Sequence, residues 1–202
     1  MCVAFDDKYT DTMENNMKTT NVKRIKMIVK DPDWLRQKAA PFDFETPFMD
    51  PIELTVELKD AIFNHSGLGV SANQLGYNTR VIALRGETKE TSIVCFNPVI
   101  TDFSDNMNTM EEGCLSIPDV FARVVRPAEV VIEFQNELQE DVKESAEGLT
   151  ARVYQHEIDH LDGILFIDRI GEFSKKRAFD KAKKIQKMRR RGKEKFKARF
   201  AL

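Results

Sequence analysis

The run His156-Glu-Ile-Asp-His160 constrains this chain more than any other stretch, because it predicts both a helix and a metal site on that helix. Residues four positions apart lie on one face of an α-helix, so the two imidazoles can bind a single ion. Glu157 stands beside that ion, where it can take a proton from a water molecule. The chain has only 3 histidines, and two of them lie in this run, which argues against a solvated helical face that carries them by chance. The pattern therefore indicates a hydrolytic metal site.

A catalytic metal site needs three protein ligands and an open position for water, so a third donor must come from another segment. The segment Glu111-Glu-Gly-Cys-Leu-Ser116 supplies Cys114, whose thiolate is a soft ligand suited to iron or zinc. If this segment is extended, the backbone N–H of Leu115 points into the same space. Cys95 lies in an apolar run and is interpreted as a small buried hydrophobe.

A third segment, Gly67-Leu-Gly-Val-Ser-Ala-Asn-Gln74, follows a helical pattern. It does not fit a dinucleotide-binding loop, because that loop follows a strand and has a third glycine. Glycines here would let an extended peptide lie against the backbone. The side-chain amide of Gln74 can donate an N–H to a developing oxyanion.

Taken together, these segments resemble the three signature motifs of the peptide deformylases, in the same order along the chain. The similarity covers roughly residues 25–191 and includes three flanking features, namely Asp31-Pro-Asp-Trp-Leu-Arg36, Arg126 and Leu161-Asp-Gly-Ile-Leu-Phe166. The chain departs from the family pattern at Ser71, where alanine is usual, and at Asn73, where proline or threonine is frequent. Arg152 stands where an aliphatic residue is common. These departures concern substrate preference and rate more than the type of reaction.

The resemblance implies an α+β fold with antiparallel strands around a central helix that carries the H-E-x-x-H run, followed by a C-terminal helix. It implies hydrolysis of the N-formyl group from N-formylmethionyl peptides, with release of formate. Cys114, His156 and His160 would hold one divalent ion, expected to be Fe²⁺, with Zn²⁺, Ni²⁺ or Co²⁺ as substitutes. Glu157 would transfer the proton, and Gln74 with the Leu115 N–H would stabilise the oxyanion.

The peptide is expected to lie extended beside Leu68 and Gly69, with Gly113 on the opposite side. Its methionine side chain needs an apolar pocket. The candidates lie on the histidine helix one to two turns before His156, and they are Leu149, Val153 and the stem of Arg152.

Two other functions compete with this interpretation. A peptidase of the H-E-x-x-H type would recruit histidine or glutamate as the third ligand, whereas Cys114 lies 42 residues before His156. An RNA-binding module with a structural zinc site would need four ligands, and no fourth cysteine or histidine lies nearby in the sequence.

The periodicity of apolar residues predicts the main elements. We expect a helix over 51–65 that ends at Gly67, strands over 80–84, 93–96 and 130–134, a polar loop over 101–108, and a helix over about 145–161 that ends before Gly163.

Charge is distributed unevenly along the chain. Residues 171–202 contain 14 Lys or Arg against 3 Asp or Glu, a net charge of +11, whereas the preceding residues carry −13. We expect a poorly ordered tail over residues 1–23, a catalytic domain over 24–170 and a basic helix over 171–202. An apolar stripe formed by Ala178, Phe179, Ala182, Ile185 and Met188 would dock this helix on the body. Its basic face either binds the ribosome through rRNA, as the resemblance implies, or is only solvated surface.

The remaining expectations concern location and assembly. No apolar run approaches the roughly 20 residues of a transmembrane helix, so no membrane partner is expected. An odd number of cysteines, 3, with a metal-type spacing indicates a reducing compartment. We therefore expect a cytoplasmic monomer.

Overall fold

The structure is a computed structural model that describes residues 28–200, with side-chain surroundings for 28–191. The predicted tail over residues 1–23 lies outside the described residues. Within the described part, the elements follow in the order α1 (Pro32–Leu35), α2 (Pro51–His65), β1 (Gly69–Ser71), β2 (Val81–Leu84), β3 (Ile93–Phe103), β4 (Met107–Cys114), β5 (Ile117–Pro127), β6 (Glu129–Gln135), β7 (Asp141–Glu147), α3 (Gly148–Leu161) and α4 (Glu172–Phe200). The predicted α+β class, with antiparallel strands and a C-terminal helix, is confirmed.

The strands form two separate antiparallel sheets. The larger sheet has the order β1-β2-β3-β6-β7, and β4 pairs only with β5 in the smaller sheet. Strand β2 is buried on both faces because successive side chains point to opposite sides of a sheet. Val81 and Ala83 pack towards α2, whereas Ile82 and Leu84 pack towards α3. The larger sheet is therefore enclosed between α2 and the histidine helix α3.

A third apolar cluster attaches α4 to the smaller sheet. Val120 and Val124 of β5 pack in one cluster with Ala178 and Ala182 of α4. Further along α4, Met188 is 65% exposed. The predicted apolar stripe therefore packs on the smaller sheet through Ala178 and Ala182 but not through Met188. None of the helices between residues 28 and 200 combines the length and the apolar composition that a membrane-crossing helix needs.

Three predicted boundaries are wrong. The expected polar loop over 101–108 is occupied at both ends by strand, because β3 continues to Phe103 and β4 starts at Met107. The histidine helix starts at Gly148 and not at 145, because residues 145–147 pair with β6. Gly148 has φ +57°, a conformation that suits glycine and separates strand from helix.

The first helix also ends differently from the prediction. Ser66, and not Gly67, takes the left-handed conformation at the end of α2, with φ 55°. At position 67, glycine is instead favoured by lack of space, because a Cβ there would lie 3.0 Å from the side chain of Leu115.

Candidate metal and catalytic site

Helix α3 places both histidines and Glu157 beneath the cleft. Its face towards the larger sheet is apolar, with Ala151, Tyr154 and Ile158 buried there. The rings of His156 and His160 lie 5.0 Å apart between centroids, as the four-residue spacing predicts.

Cys114 lies at the last position of β4 and meets this helix. Its Sγ is 3.2 Å from Nε2 of His160. One ligand atom from each of Cys114, His156 and His160 lies within 4.8 Å of the others. This is a three-donor set of thiolate and imidazole, and its chemistry fits a divalent ion such as Fe²⁺ or Zn²⁺.

The charges around the site favour the form of Cys114 that binds metal. Burial alone would raise the pKa of its thiol, but His160 and His156 hold that pKa well below its usual value. The third potential donor is therefore a cysteine, and the described residues bring no fourth donor into this group. Both observations disfavour the two competing functions.

Glu112 is the residue of this site that the sequence interpretation missed. Its Oε2 lies 2.9 Å from Nδ1 of His156, so this ring nitrogen can donate to the carboxylate and leave Nε2 for a metal. The Glu112 carboxylate also accepts from Nε of Arg126 at 2.7 Å and from an Nη of Arg152 at 2.8 Å. Although burial opposes ionisation, His156 and Arg126 lower the pKa of Glu112. A signal was present in the sequence, because Glu112 and Cys114 are two residues apart and share one face of a strand.

The ionic network continues from Glu112 to the protein surface. An Nη of Arg126 donates to Asp159 at 2.6 Å, and Nε of Arg169 donates to the same carboxylate at 3.0 Å. Arg126 and Asp159 are buried, whereas the side chain of Arg169 is 43% exposed. Asp159 thus offsets the positive charge of Arg126, so Glu112 does not have to balance both Arg126 and Arg152 alone.

Gln74 lies in a short 3₁₀ turn after β1, and its amide orientation is set by its neighbours. Its Oε1 accepts from the backbone N–H of Ser71 at 3.0 Å. Its Nε2 therefore faces the other way and donates to Oγ of Ser116 at 3.1 Å and towards Sγ of Cys114 at 3.5 Å. This places an N–H donor beside the candidate metal ligand.

The two departures in this first motif are structurally connected. Oγ of Ser71 donates to Oδ1 of Asn73 at 2.7 Å, and Nδ2 of Asn73 donates to the His160 carbonyl at 2.6 Å. The turn that carries Gln74 is thereby hydrogen-bonded to the helix that carries the histidines.

Glu157 is buried beside the backbone of β1. Its Oε2 has no hydrogen-bond partner within the described part of the chain, and burial raises the pKa of its carboxyl against the opposing effect of the two histidines. A Cβ at Gly69 would lie 2.7 Å from Oε1 of Glu157, so glycine is required there for space. The free oxygen and the raised pKa are typical of a carboxyl that exchanges a proton.

These groups line one cleft of about 540 Å³. All the residues predicted to bind substrate lie along it, namely Leu68, Gly69, Gly113, Leu149, Arg152 and Val153, and so do Gln74 and Leu115. For Arg152, the prediction named only the stem of the side chain as part of the pocket. Its guanidinium donates to Glu112 and to the Val124 carbonyl, so only its stem is available to the cleft. The roles of these residues towards a substrate stay predictions.

Comparison with known proteins adds independent information. A sequence model of the family "polypeptide deformylase" matches residues 25–176. A peptide deformylase of Prochlorococcus marinus is 40% identical over 121 residues, which are 58% of this chain and 60% of that relative. The matched region thus spans less than two thirds of that relative's length.

Two solved structures are similar over most of the chain. A peptide deformylase from Synechococcus elongatus, in complex with actinonin, has 32% identity and a TM-score of 0.69 over 77% of this chain and 84% of that chain. A peptide deformylase from Legionella pneumophila has 30% identity and a TM-score of 0.70 over 82% and 98%.

Proposed function

The chain belongs to the polypeptide deformylase family, and we propose from this premise that it hydrolyses the N-formyl group of formyl-methionine on nascent peptides. The products are formate and a peptide with a free amino terminus. The observation that carries the proposal is the convergence of Cys114, His156 and His160 in one group of donors, with Glu157 and Gln74 beside Cys114 and His156 in one cleft.

The metal ligands are Cys114 through Sγ and the two histidines through ring nitrogens. A bound divalent ion supplies Lewis-acid chemistry, because it polarises the formyl carbonyl and makes water more acidic. We propose Fe²⁺ as the resident ion, with Zn²⁺, Ni²⁺ or Co²⁺ as substitutes, because thiolate and imidazole suit all of them.

Glu157 moves the proton. Its unpartnered Oε2 accepts a proton from the attacking water, whose oxygen forms a bond to the formyl carbon. The C–N bond then breaks, and Glu157 delivers the same proton to the leaving amine. The raised pKa of this carboxyl suits both halves of the transfer, since it holds the proton between them.

Two donors act on the oxygen that becomes negative. Nε2 of Gln74 and the backbone N–H of Leu115 donate to it, and removal of one donor of this kind costs about 3 to 4 kcal/mol of transition-state stabilisation. The fixed orientation of the Gln74 amide supports this role, because its oxygen is already occupied by Ser71.

The peptide lies extended in the cleft between β1 and the smaller sheet. Leu68 and Gly69 contact it on one side and Gly113 on the other. The methionine side chain occupies the apolar part of the cleft beside Leu149, Val153 and the stem of Arg152. Glycine is required at position 113 for space, since a Cβ there would lie 2.6 Å from the ring of Phe121.

The proposed setting is the cytoplasm, where the monomer works on chains as they leave the ribosome. Helix α4 supports an rRNA contact. Lys176, Lys183, Lys187 and Arg191 are exposed and recur on the side of the helix opposite the buried Ala178 and Ala182.

A formate-release assay tests the proposed reaction. Protein purified without oxygen and analysed for metal is supplied with formyl-Met-Ala-Ser, acetyl-Met-Ala-Ser and a longer peptide blocked at both ends. We expect formate from the first peptide only, in proportion to bound metal, and no internal cleavage. Cys114→Ser is the matched control, because it should lose metal and activity together. Cleavage of the blocked peptide without formate release would overturn the proposal in favour of a peptidase.

A further inference from the structure

The rim of the cleft contains a carboxylate that the proposed reaction does not use. Between the pair Cys114–Ile117 and the pair Gly113–Phe121, strand β4 advances by one residue and β5 by four. Pro118, Asp119 and Val120 therefore form a bulge opposite the metal ligand.

Asp119 occupies the middle of this bulge in a specific conformation. Its φ is 68°, in the left-handed region that aspartate and asparagine tolerate better than most residues. It lines the same cleft as Cys114 and Glu157, and its side chain is 14% exposed. In the proposed binding mode, the peptide segment after the formyl-methionine passes this rim.

The C-terminal helix supplies the partner of Asp119. Arg189 of α4 donates from an Nη to Oδ1 of Asp119. Arg189 follows Ala182 by seven residues and lies on the same face of the helix, which packs on β5. The ion pair thus joins the basic helix directly to the rim of the cleft.

We propose that Asp119 is a specificity-determining residue for the charge of the peptide segment after the formyl-methionine, and that Arg189 sets the effective charge of Asp119. While the pair is intact, the rim at Asp119 is close to neutral. When Arg189 is removed or drawn away, Asp119 becomes an unpaired negative charge that attracts basic and repels acidic peptides. Glu111 also lines the cleft and is exposed, so it adds a constant negative charge that Arg189 does not control. This inference rests on the proposed deformylation.

The test compares formyl-Met-Ala-Lys, formyl-Met-Ala-Glu and formyl-Met-Ala-Ser on the metal-loaded full chain. The readout is the ratio of kcat/KM for the lysine peptide to kcat/KM for the glutamate peptide. Arg189→Gln should raise this ratio about two- to fivefold, which is the size expected for one exposed charge, through KM and not kcat. The increase should fade at high salt, since exposed charges are screened.

Four further variants separate charge from shape. Asp119→Asn keeps a residue that tolerates the left-handed conformation, and adding Arg189→Gln to it should have a smaller effect than in the wild-type background, because no unpaired carboxylate is created and the exposed Arg189 is already solvated. Arg189→Lys should restore the wild-type ratio, and Arg191→Gln is the matched control on the opposite face of α4.

An unchanged ratio in Arg189→Gln would overturn the proposal, and so would an equal effect of that change in the Asp119→Asn background. A parallel loss of activity on all three peptides would mean that the pair only supports the bulge. Failure of the wild-type protein to release formate from formyl-Met-Ala-Ser would instead refute the proposed function itself.

Discussion

Helices α3 and α4 both carry residues with proposed roles, but the surroundings of these residues are opposite in kind. Helix α3 is mostly buried, and several of its polar side chains have partners at specific distances, such as His156 with Glu112 and Arg152 with Val124. Between residues 172 and 191, helix α4 buries Ala178 and Ala182, and its opposite side presents lysines and arginines to solvent.

The two helices differ in how closely the position of each side chain is constrained. On α3, a side chain acts on an atom a few ångströms away, in a low-dielectric environment where an unpaired charge is costly. On α4, side chains act through summed charge, which tolerates changes of position and is screened by salt. Substitutions of similar chemistry should therefore have large effects on α3 and graded effects on α4.

The largest expected effect belongs to Glu157 on α3. Glu157→Gln removes the proton carrier without removing a metal ligand, so turnover should fall about 10²- to 10⁴-fold while bound metal stays at the wild-type level. Metal analysis and formate release on the same sample measure both quantities. Near wild-type turnover in a metal-loaded variant would show that another group moves the proton.

A smaller effect is expected at Gln74, which reaches the site from outside α3. Gln74→Ala should lower kcat and kcat/KM together by about 10²- to 10³-fold with little change in KM, because its donor acts in the transition state. Steady-state kinetics with formyl-Met-Ala-Ser would measure this. An increase in KM alone would make Gln74 a ground-state binding residue.

Glu112 should have an intermediate effect on metal affinity. Glu112→Gln keeps the shape of the side chain but weakens the orientation of His156, so the metal should bind about 10- to 100-fold more weakly. Competition with a chelator measures this affinity. A matched change on α4, Lys187→Gln, should leave the metal affinity unaltered.

The same variant predicts a pH dependence of stability. The pKa of Glu112 is lowered in the folded protein from its ordinary value of 4.5, so its ionised form stabilises the fold above that pH. The difference in unfolding free energy between wild-type protein and Glu112→Gln should therefore shrink as pH falls below 4.5, by up to about 1.4 kcal/mol per pH unit. Urea unfolding of both metal-free proteins at several pH values would measure it. A difference that stays constant would show that Glu112 is not ionised in the fold.

The smallest effect on catalysis is expected on α4. Replacing Lys183, Lys187 and Arg191 with glutamate should change kcat/KM on free formyl-peptides by less than about twofold. These residues are exposed and lie on the side of α4 opposite Arg189, the partner of Asp119. The same variant should lose co-sedimentation with ribosomes at physiological salt. For the wild-type protein, log affinity should fall with log salt by about 0.7 to 0.9 per phosphate contacted. Unchanged sedimentation of the variant would identify the basic face as solvated surface.

The sequence predicted the parts of the site that depend on local spacing or on a contiguous motif. The histidine pair follows from helix geometry alone, and Cys114 and Gln74 were found because their segments form recognisable motifs. Glu112 was missed because a charged residue in a polar strand gives no indication of burial. Its partners Arg126 and Arg152 are 14 and 40 residues away, a distance that no local pattern can bridge.

The fold was predicted best where both faces of an element are apolar. Strand β2 was recognisable because it is enclosed by two helices. Strands β4 and β5 were both missed. One face of β4 is exposed and the other carries Asn108, Glu112 and Cys114, which are polar or reactive residues that a composition pattern assigns to loops. In β5, buried apolar residues alternate with exposed residues that include Phe121 and Val125, so its two faces differ little in polarity. The end of β3 was missed for the same reason, since residues 101–103 are exposed.

The contact between Ser71 and Asn73 has a consequence for how this sequence can evolve. A change of Ser71 to alanine alone would leave the buried Oδ1 of Asn73 without its donor, at a cost of about 1 to 3 kcal/mol. A change of Asn73 alone is less severe for Ser71, whose hydroxyl can still donate to Oε1 of Gln74 at 3.1 Å. The two positions are therefore epistatic, and the route from serine and asparagine to alanine and proline is easier when residue 73 changes first. Among relatives, serine and asparagine should occur together more often than either occurs alone.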